Sequence, residues 1–359
     1  MFERRAIAKA ASTCLTGLLV NTCVHAQGSV TLYGVLDGGL AYFSKTANPA
    51  TGQNERKQFS FLDSGKAPSA FGLTGTEDLG GGLKATFRLV SGISTANGAF
   101  DNSNGFAFGG QAWIALDGRF GQVKAGVQYS PFGLAVYEGD PRQLSPFGSG
   151  LVIYGDSVLG TGVFVSNAVS YTTPQLFGLK GSVMYALGGK AGDFQAGRQY
   201  SASLNYQHDD LVVVAGIYSA NAGSPAQTPV PTDVAFFGRT LGVSYKWGNL
   251  TAKASFTNYK TAGWFNNNVY AAGLDYLVTP SFDLDGGVWF TSDRNDTANH
   301  SLLFAMGGQY FLSKATTLYA QVAVVNNQGA MNTGLSVHNA PYGTSGTTTG
   351  VNVGIRHMF

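Results

Sequence analysis

From Ser29 onward the chain alternates with period two, in segments of about nine to twelve residues, the length a tilted strand needs to cross a bilayer. Val30, Leu32 and Leu36 share one parity, and Thr31, Tyr33 and Asp37 the other. Leu83, Ala85, Phe87 and Leu89 alternate with Lys84, Thr86 and Arg88. Tyr200, Ala202, Leu204 and Tyr206 alternate with Ser201, Ser203 and Asn205. Successive side chains of a strand point to opposite faces, so one face is apolar and the other polar. A sheet half-buried in water gives the same pattern. Two further features favour a membrane barrel. Connections alternate between short (Glu77 to Gly82, Gly118 to Gly121, His208 to Asp210, Trp247 to Asn249, Thr279 to Ser281, Ser313 to Ala315) and long (44–67, 129–165, 221–235, 327–347). Aromatics gather near strand ends, at Tyr42, Tyr206, Tyr245, Trp247, Tyr276, Tyr310 and Phe359, as an interfacial girdle does.

Composition agrees. Only 12% of residues are charged, against about 25% in soluble domains. Mean hydropathy is nevertheless only +0.03, and past the N-terminus there is no apolar run long enough for a spanning helix. The reading is all-β: an antiparallel transmembrane barrel of about sixteen strands, closed because lipid leaves an open edge unpaired. Strand centres fall near residues 35, 72, 87, 113, 125, 169, 183, 202, 214, 241, 254, 273, 287, 306, 320 and 353. An even count places both termini on one side of the membrane.

Arg4, Arg5 and Lys9 precede the mostly apolar Ala10 to Val20, and Val24-His25-Ala26 has the form of a cleavage site. Residues 1–26 are therefore expected to be a secretory signal peptide, and 27–359 one barrel without a linker. Both cysteines, Cys14 and Cys23, fall in the leader, which leaves the mature chain without disulfide or thiol chemistry. Without the leader, acids and bases balance, and nothing predicts a nucleic-acid partner. His208, His300, His338 and His357 show no metal-ligand spacing. Asp293-Arg-Asn-Asp296 lacks the calcium-loop pattern, and no glycine run continues into a phosphate loop. No catalytic motif, metal or cofactor is expected.

Several stretches resemble Gram-negative general porins. Ser29-Val-Thr-Leu-Tyr-Gly-Val-Leu-Asp37 is similar to that family's mature N-terminus, and Phe71-Gly-Leu-Thr-Gly-Thr-Glu-Asp-Leu-Gly-Gly-Gly-Leu-Lys-Ala85 to its second strand, first turn and third strand. Gln111-Ala-Trp-Ile-Ala-Leu116, Tyr310-Phe-Leu-Ser-Lys314 and Val353-Gly-Ile-Arg-His-Met-Phe359 match as well. The resemblance implies a homotrimer in the lipid bilayer of the outer membrane and a third extracellular loop folded into the lumen. It also implies that Phe359 helps the assembly machinery recognise the barrel. The implied function is a water-filled channel for passive diffusion of small hydrophilic solutes and ions. The alternative is a substrate-specific channel of the same fold; a barrel enzyme and a plugged adhesin are readings from other classes.

Selectivity in such a pore comes from its radius and from charged side chains at its narrowest level. Parity turns Lys84, Arg88, Lys124, Lys180 and Lys253 inward as a basic wall, together with Asp37, Asp275, Asp283 and Asp285. The third loop, Ser130 to Val165, carries Glu138, Asp140, Arg142 and Asp156, and its Ser145-Pro-Phe-Gly-Ser-Gly150 is similar to the family's Pro-Glu-Phe-Gly-Gly tip without the acid. Glu138, Asp140 and Asp156 are the expected constriction acids. Arginines that the resemblance implies are replaced at Ala70 and Gly110, near Phe164, and in Gly126-Val-Gln-Tyr129. A weakly selective or cation-tilted pore, wider at its constriction, is therefore expected.

Overall fold

The computed structural model describes residues 29–359 except 49, 103–104, 159–162 and 222–234, and only the backbone of 156–158. The expected leader lies outside the described residues, as does the Asp156 side chain. The chain forms one closed antiparallel sheet in which neighbouring positions are filled in sequence order. Its strands are β1 (Ser29–Phe43), β2 (Gln58–Asp63), β3 (Ala70–Gly80), β4 (Leu83–Gly92), β5 (Gln111–Gly118), β6 (Gly121–Tyr129), β7 (Phe164–Thr172), β8 (Leu179–Ala186), β9 (Gln199–His208), β10 (Leu211–Ala220), β11 (Phe236–Trp247), β12 (Leu250–Thr261), β13 (Phe265–Thr279), β14 (Phe282–Asp293), β15 (His300–Phe311), β16 (Thr316–Gln328) and β19 (Gly346–Met358). A small hairpin, β17 (Thr333–Ser336) and β18 (Ala340–Tyr342), lies within the last long connection.

β2 and β3 occupy one position in the barrel. β2 pairs with the Gly38–Phe43 half of β1, and β3 with its Ser29–Val35 half. The barrel thus has sixteen strand positions. All sixteen predicted centres fall within strands. One expectation is corrected: 44–67 is not wholly a connection, because 58–63 is strand. The cause is Ser64-Gly-Lys-Ala-Pro-Ser69, a run of turn formers with a proline that cannot donate to a ladder. It interrupts the strand and hides the short alternation before it.

Closure is made by β1 and β19, in register from Val35 with Met358 to Phe43 with Gly350. Gly34 and Phe359 then exchange both backbone hydrogen bonds, at 2.9 and 3.1 Å. The Phe359 ring lies where a Cβ on Gly34 would stand, so glycine at 34 makes room for the terminal aromatic. The apolar parity faces out: Leu32, Leu36, Leu40, Ile114, Leu204, Leu241, Phe290, Leu302, Phe304 and Val353 are exposed on the barrel's outside. In water that surface would be a liability; against lipid it is what holds the barrel in the membrane.

The long connection after β6 holds two helices, α1 (Pro131–Gly139) and α2 (Gly150–Val158). Ser130 caps α1, accepting from the Gly133 N–H at 2.9 Å, and Pro131 supplies a preset first turn. α1 packs on the inward face of β9 to β12. That wall is cut down to glycine where the helix touches it: Phe132 lies over Gly238, Ala135 over Gly216, and Gly139 over Gly242. Side chains at those three positions would hold the helix off the wall.

Candidate functional site: the lumen and its third loop

α1 ends at Asp140, a buried residue whose carboxylate organises the loop. It accepts from the N–H groups of Arg142 and Leu144 at 2.9 Å, from Gly150 N–H at 3.0 Å, and from the Trp289 indole at 2.9 Å. Burial pushes its carboxyl up, and these donors pull the other way. Asp140 therefore joins the end of α1 to the start of α2 and both to β14, rather than presenting a charge to the pore. Among the described side chains of the loop, Glu138 is the exposed acid.

Arg142 fastens the loop across the lumen. Its Nε donates to Asp285 on β14, its Nη1 to the carbonyls of Phe147 and Gly148 at 2.9 Å, and its Nη2 to Gln321 on β16 at 2.6 Å. Gln321 donates onward to Gly65 O at 2.8 Å and to Asn352 Oδ1 at 2.9 Å. The same Asp285 accepts from Lys66, carried by the 64–69 insertion. Asp37 holds that insertion in place: its carboxylate accepts from the N–H groups of Gly65, Lys66 and Ala67 and from Tyr319 Oη. Ser145 Oγ reaches Lys66 O at 3.2 Å. Two separate segments thus meet inside the barrel on one buried carboxylate, and every member of the network has a partner. A buried charge persists only when paired and hydrogen-bonded in this way.

The loop is also held from above. Gly148 N–H donates to Leu335 O at 2.8 Å and Val337 N–H to Pro146 O at 3.0 Å, so the β17–β18 hairpin rests on the loop tip. His338, between those strands, meets Asp101 of the β4–β5 connection at 2.8 Å. Burial works against protonation of His338, but the hydrogen bond and charge of Asp101 carry the imidazole pKa above its usual value; the same hydrogen bond holds Asp101 below the usual carboxylate range.

The predicted basic residues separate into groups. Lys84, Arg88 and Lys124 stand together on the inward face of β4 to β6. Arg88 donates to Tyr33 Oη at 2.7 Å and lies over that ring, and Lys124 lies over Trp113 with Nζ 4.7 Å from the centroid. Asp117, in register with Lys84, accepts from Thr86 and Gln122, each at 2.7 Å. Lys253 turns instead to the third loop, donating to Glu138 O at 3.1 Å and Asp140 O at 3.3 Å. Lys180 stands apart, in register with Asn205 next to the turn that precedes β8. Diametrically opposite β5, the strands β13 and β14 turn Asp275 and Asp283 inward beside Asp285. The lumen therefore has a basic wall facing an acidic one, with the third loop between them. Lys66, Gln321, Asn352 and Tyr319 were not singled out in the sequence. The only local signal was the turn-rich 64–69 run, and Asp285 and Gln321, which meet it from the far wall, lie more than two hundred positions away.

A family model described as Gram-negative porin matches residues 11–330. Outer membrane porin protein 32 of Delftia acidovorans is 29% identical over 365 residues, covering 96% of this chain and 98% of that one. An outer membrane porin protein of Bordetella pertussis is 28% identical, covering 93% of this chain and 95% of that one. Among solved structures, an anion-selective porin from Comamonas acidovorans superposes with a TM-score of 0.79 at 28% identity, over 92% of this chain and 100% of that one.

Proposed function

The chain belongs to the Gram-negative porin family; it is an outer-membrane β-barrel for passive diffusion of small hydrophilic solutes, and on that premise we propose how its lumen selects among them. The carrying observation is the third loop fixed across a polar lumen by Arg142 and Asp285. A loop saturated with buried hydrogen bonds sets a constant aperture, which suits diffusion driven only by a gradient. Asp285 offsets only one of the two charges of Lys66 and Arg142, so this cluster leaves one net positive charge, set beside the carboxylates of Asp275 and Asp283. Lys84, Arg88 and Lys124 remain, opposed by Asp275 and Asp283. The pore is weakly selective. Reversal potentials in a KCl gradient test this: values near zero support it, and strong anion preference overturns it.

A second reading, anion selectivity, is favoured by the inward-facing cluster of Lys84, Arg88 and Lys124 and by the name of the Comamonas porin. Neutralising those three residues separates the readings, because only an anion-selective pore loses a large potential when they go. The barrel acts as a channel without catalysis, in line with relatives that are porins. We propose a homotrimer whose conductance steps come in threes, residues 1–26 as a removed leader, and Phe359 as the residue read by the assembly machinery.

A further inference from the structure

On the outside of β11 to β14, at the end that carries the long connections, the surface changes chemistry over three rows of side chains. Leu241, Phe256, Tyr270 and Phe290 form one row, each in register with the next. One step towards the loops lie Arg239, Asn258, Asn268 and Ser292, again in register. The outermost row is Phe237, Lys260 and Asn266, with Arg294 just past β14 donating its N–H to Asn266 O at 2.8 Å. Strands lie about 4.8 Å apart, so Lys260 stands one strand from Arg239 and two from Arg294, within reach of both long side chains.

These rows enclose a cleft lined by Phe237, Arg239, Asn258, Lys260, Asn266 and Arg294. Its floor is fixed: the Asn258 amide donates to Asn266 Oδ1 and Asn268 Oδ1, both at 2.9 Å. Among the described residues, none of the three cations has an acidic partner within 4.0 Å. The adjacent acid, Asp293, is buried on the opposite parity, where its Oδ1 accepts from the N–H groups of Asn266 and Asn295. Three like charges beside an apolar band repel one another and are costly near lipid unless an anion sits among them.

Two conditions fix what that anion is. It must bring more than one negative oxygen, since two guanidinium groups and an ammonium converge on it; phosphate matches them in geometry. It must also be continuous with the apolar row beneath. We propose that this cleft binds the phosphate headgroup of an outer-leaflet lipid, with its acyl chains lying along Leu241, Phe256, Tyr270 and Phe290. Barrels of this kind carry their longer loops on the outside of the cell, which places the cleft at the outer headgroup level. Trp264, exposed in the β12–β13 turn beside it, is a further interfacial anchor.

The test is native mass spectrometry of the detergent-purified full chain titrated with lipid A, a bisphosphorylated glycolipid. Each cation lost removes a charge-assisted hydrogen bond, about a tenfold effect. The variant Arg239→Gln/Lys260→Gln/Arg294→Gln is expected to lose the lipid adduct, while Lys246→Gln/Lys314→Gln, at the opposite end of the barrel, keeps it. Dephosphorylated lipid A should bind neither protein tightly. Equal binding by the wild-type chain and the triple variant overturns the proposal. So does equal loss in the Lys246/Lys314 variant, which would mean non-specific charge, and so does displacement of the lipid by inorganic phosphate at equal concentration, which would make a free anion the ligand. Unchanged single-channel conductance shows that the triple variant is folded; if it does not fold, Arg239→Lys/Arg294→Lys must retain the adduct and Lys260→Gln alone must weaken it.

Discussion

The two sides of the lumen use inward charge differently. On the β14–β16 side, Arg142, Asp285, Gln321 and Asn352 are all buried, and each hydrogen bond they make is to another part of the protein. On the β4–β6 side, Lys84 is exposed in the lumen, and Arg88 and Lys124, only half-buried, rest on Tyr33 and Trp113. Both sets point inward for one reason, the cost of a charge facing lipid. Burial separates them: the first set holds the loop, and the second faces what passes.

The largest effect should come from breaking the first side. Arg142→Ala leaves Asp285 facing Lys66 alone and strips the loop tip of its fastening, a loss of about 3–5 kcal/mol for a buried pair deprived of one partner. Denaturant unfolding should show the loss, and single-channel records should show larger, noisier currents. Unchanged conductance would mean that α1 and the β17–β18 hairpin hold the loop unaided. Next comes Gly238→Val, which drives a side chain into the Phe132 ring; overpacking of this kind costs about 1–3 kcal/mol. It should loosen α1 while leaving Arg142 bonded, so conductance should change less than in Arg142→Ala.

Breaking the second side should barely touch stability. Lys84→Gln/Arg88→Gln/Lys124→Gln removes one exposed and two half-buried charges, the latter with cation–π contacts, worth about 0.5–1 kcal/mol each, yet should move the reversal potential towards cations. A triple variant that unfolds early would erase the distinction between the two sides. The smallest effect concerns the latch above the loop. The His338 pKa is raised and that of Asp101 lowered, so their pairing is present above the depressed Asp101 value and is lost as pH rises through the raised His338 value. Hydrogen exchange in 333–342 should therefore quicken on the alkaline side of the ordinary imidazole range, and His338→Gln should abolish that dependence. Protection that is flat with pH in the wild-type chain would remove the ion pair from the latch.

Much of this was legible in the chain. Alternation placed a strand at every barrel position, because a period of two is a local property that lipid on one side and water on the other enforce residue by residue. Parity alone turned Lys84, Arg88, Lys124, Lys253, Asp275, Asp283 and Asp285 inward. It could not say that Lys253 would serve the backbone of the third loop, or that Asp140 would be enclosed by N–H donors, since parity gives a side and not a partner.

The sequence by itself determined the barrel, its number of strands and which residues meet lipid. Only the tertiary structure decided which inward charges remain free. Lys66, Arg142 and Asp285 come from an interrupted strand, a loop and a distant wall, and closure of the barrel is what brings them together. Whether a charge is spent or available depends on that meeting, because pairing and desolvation belong to the space around a residue and not to its neighbours along the chain.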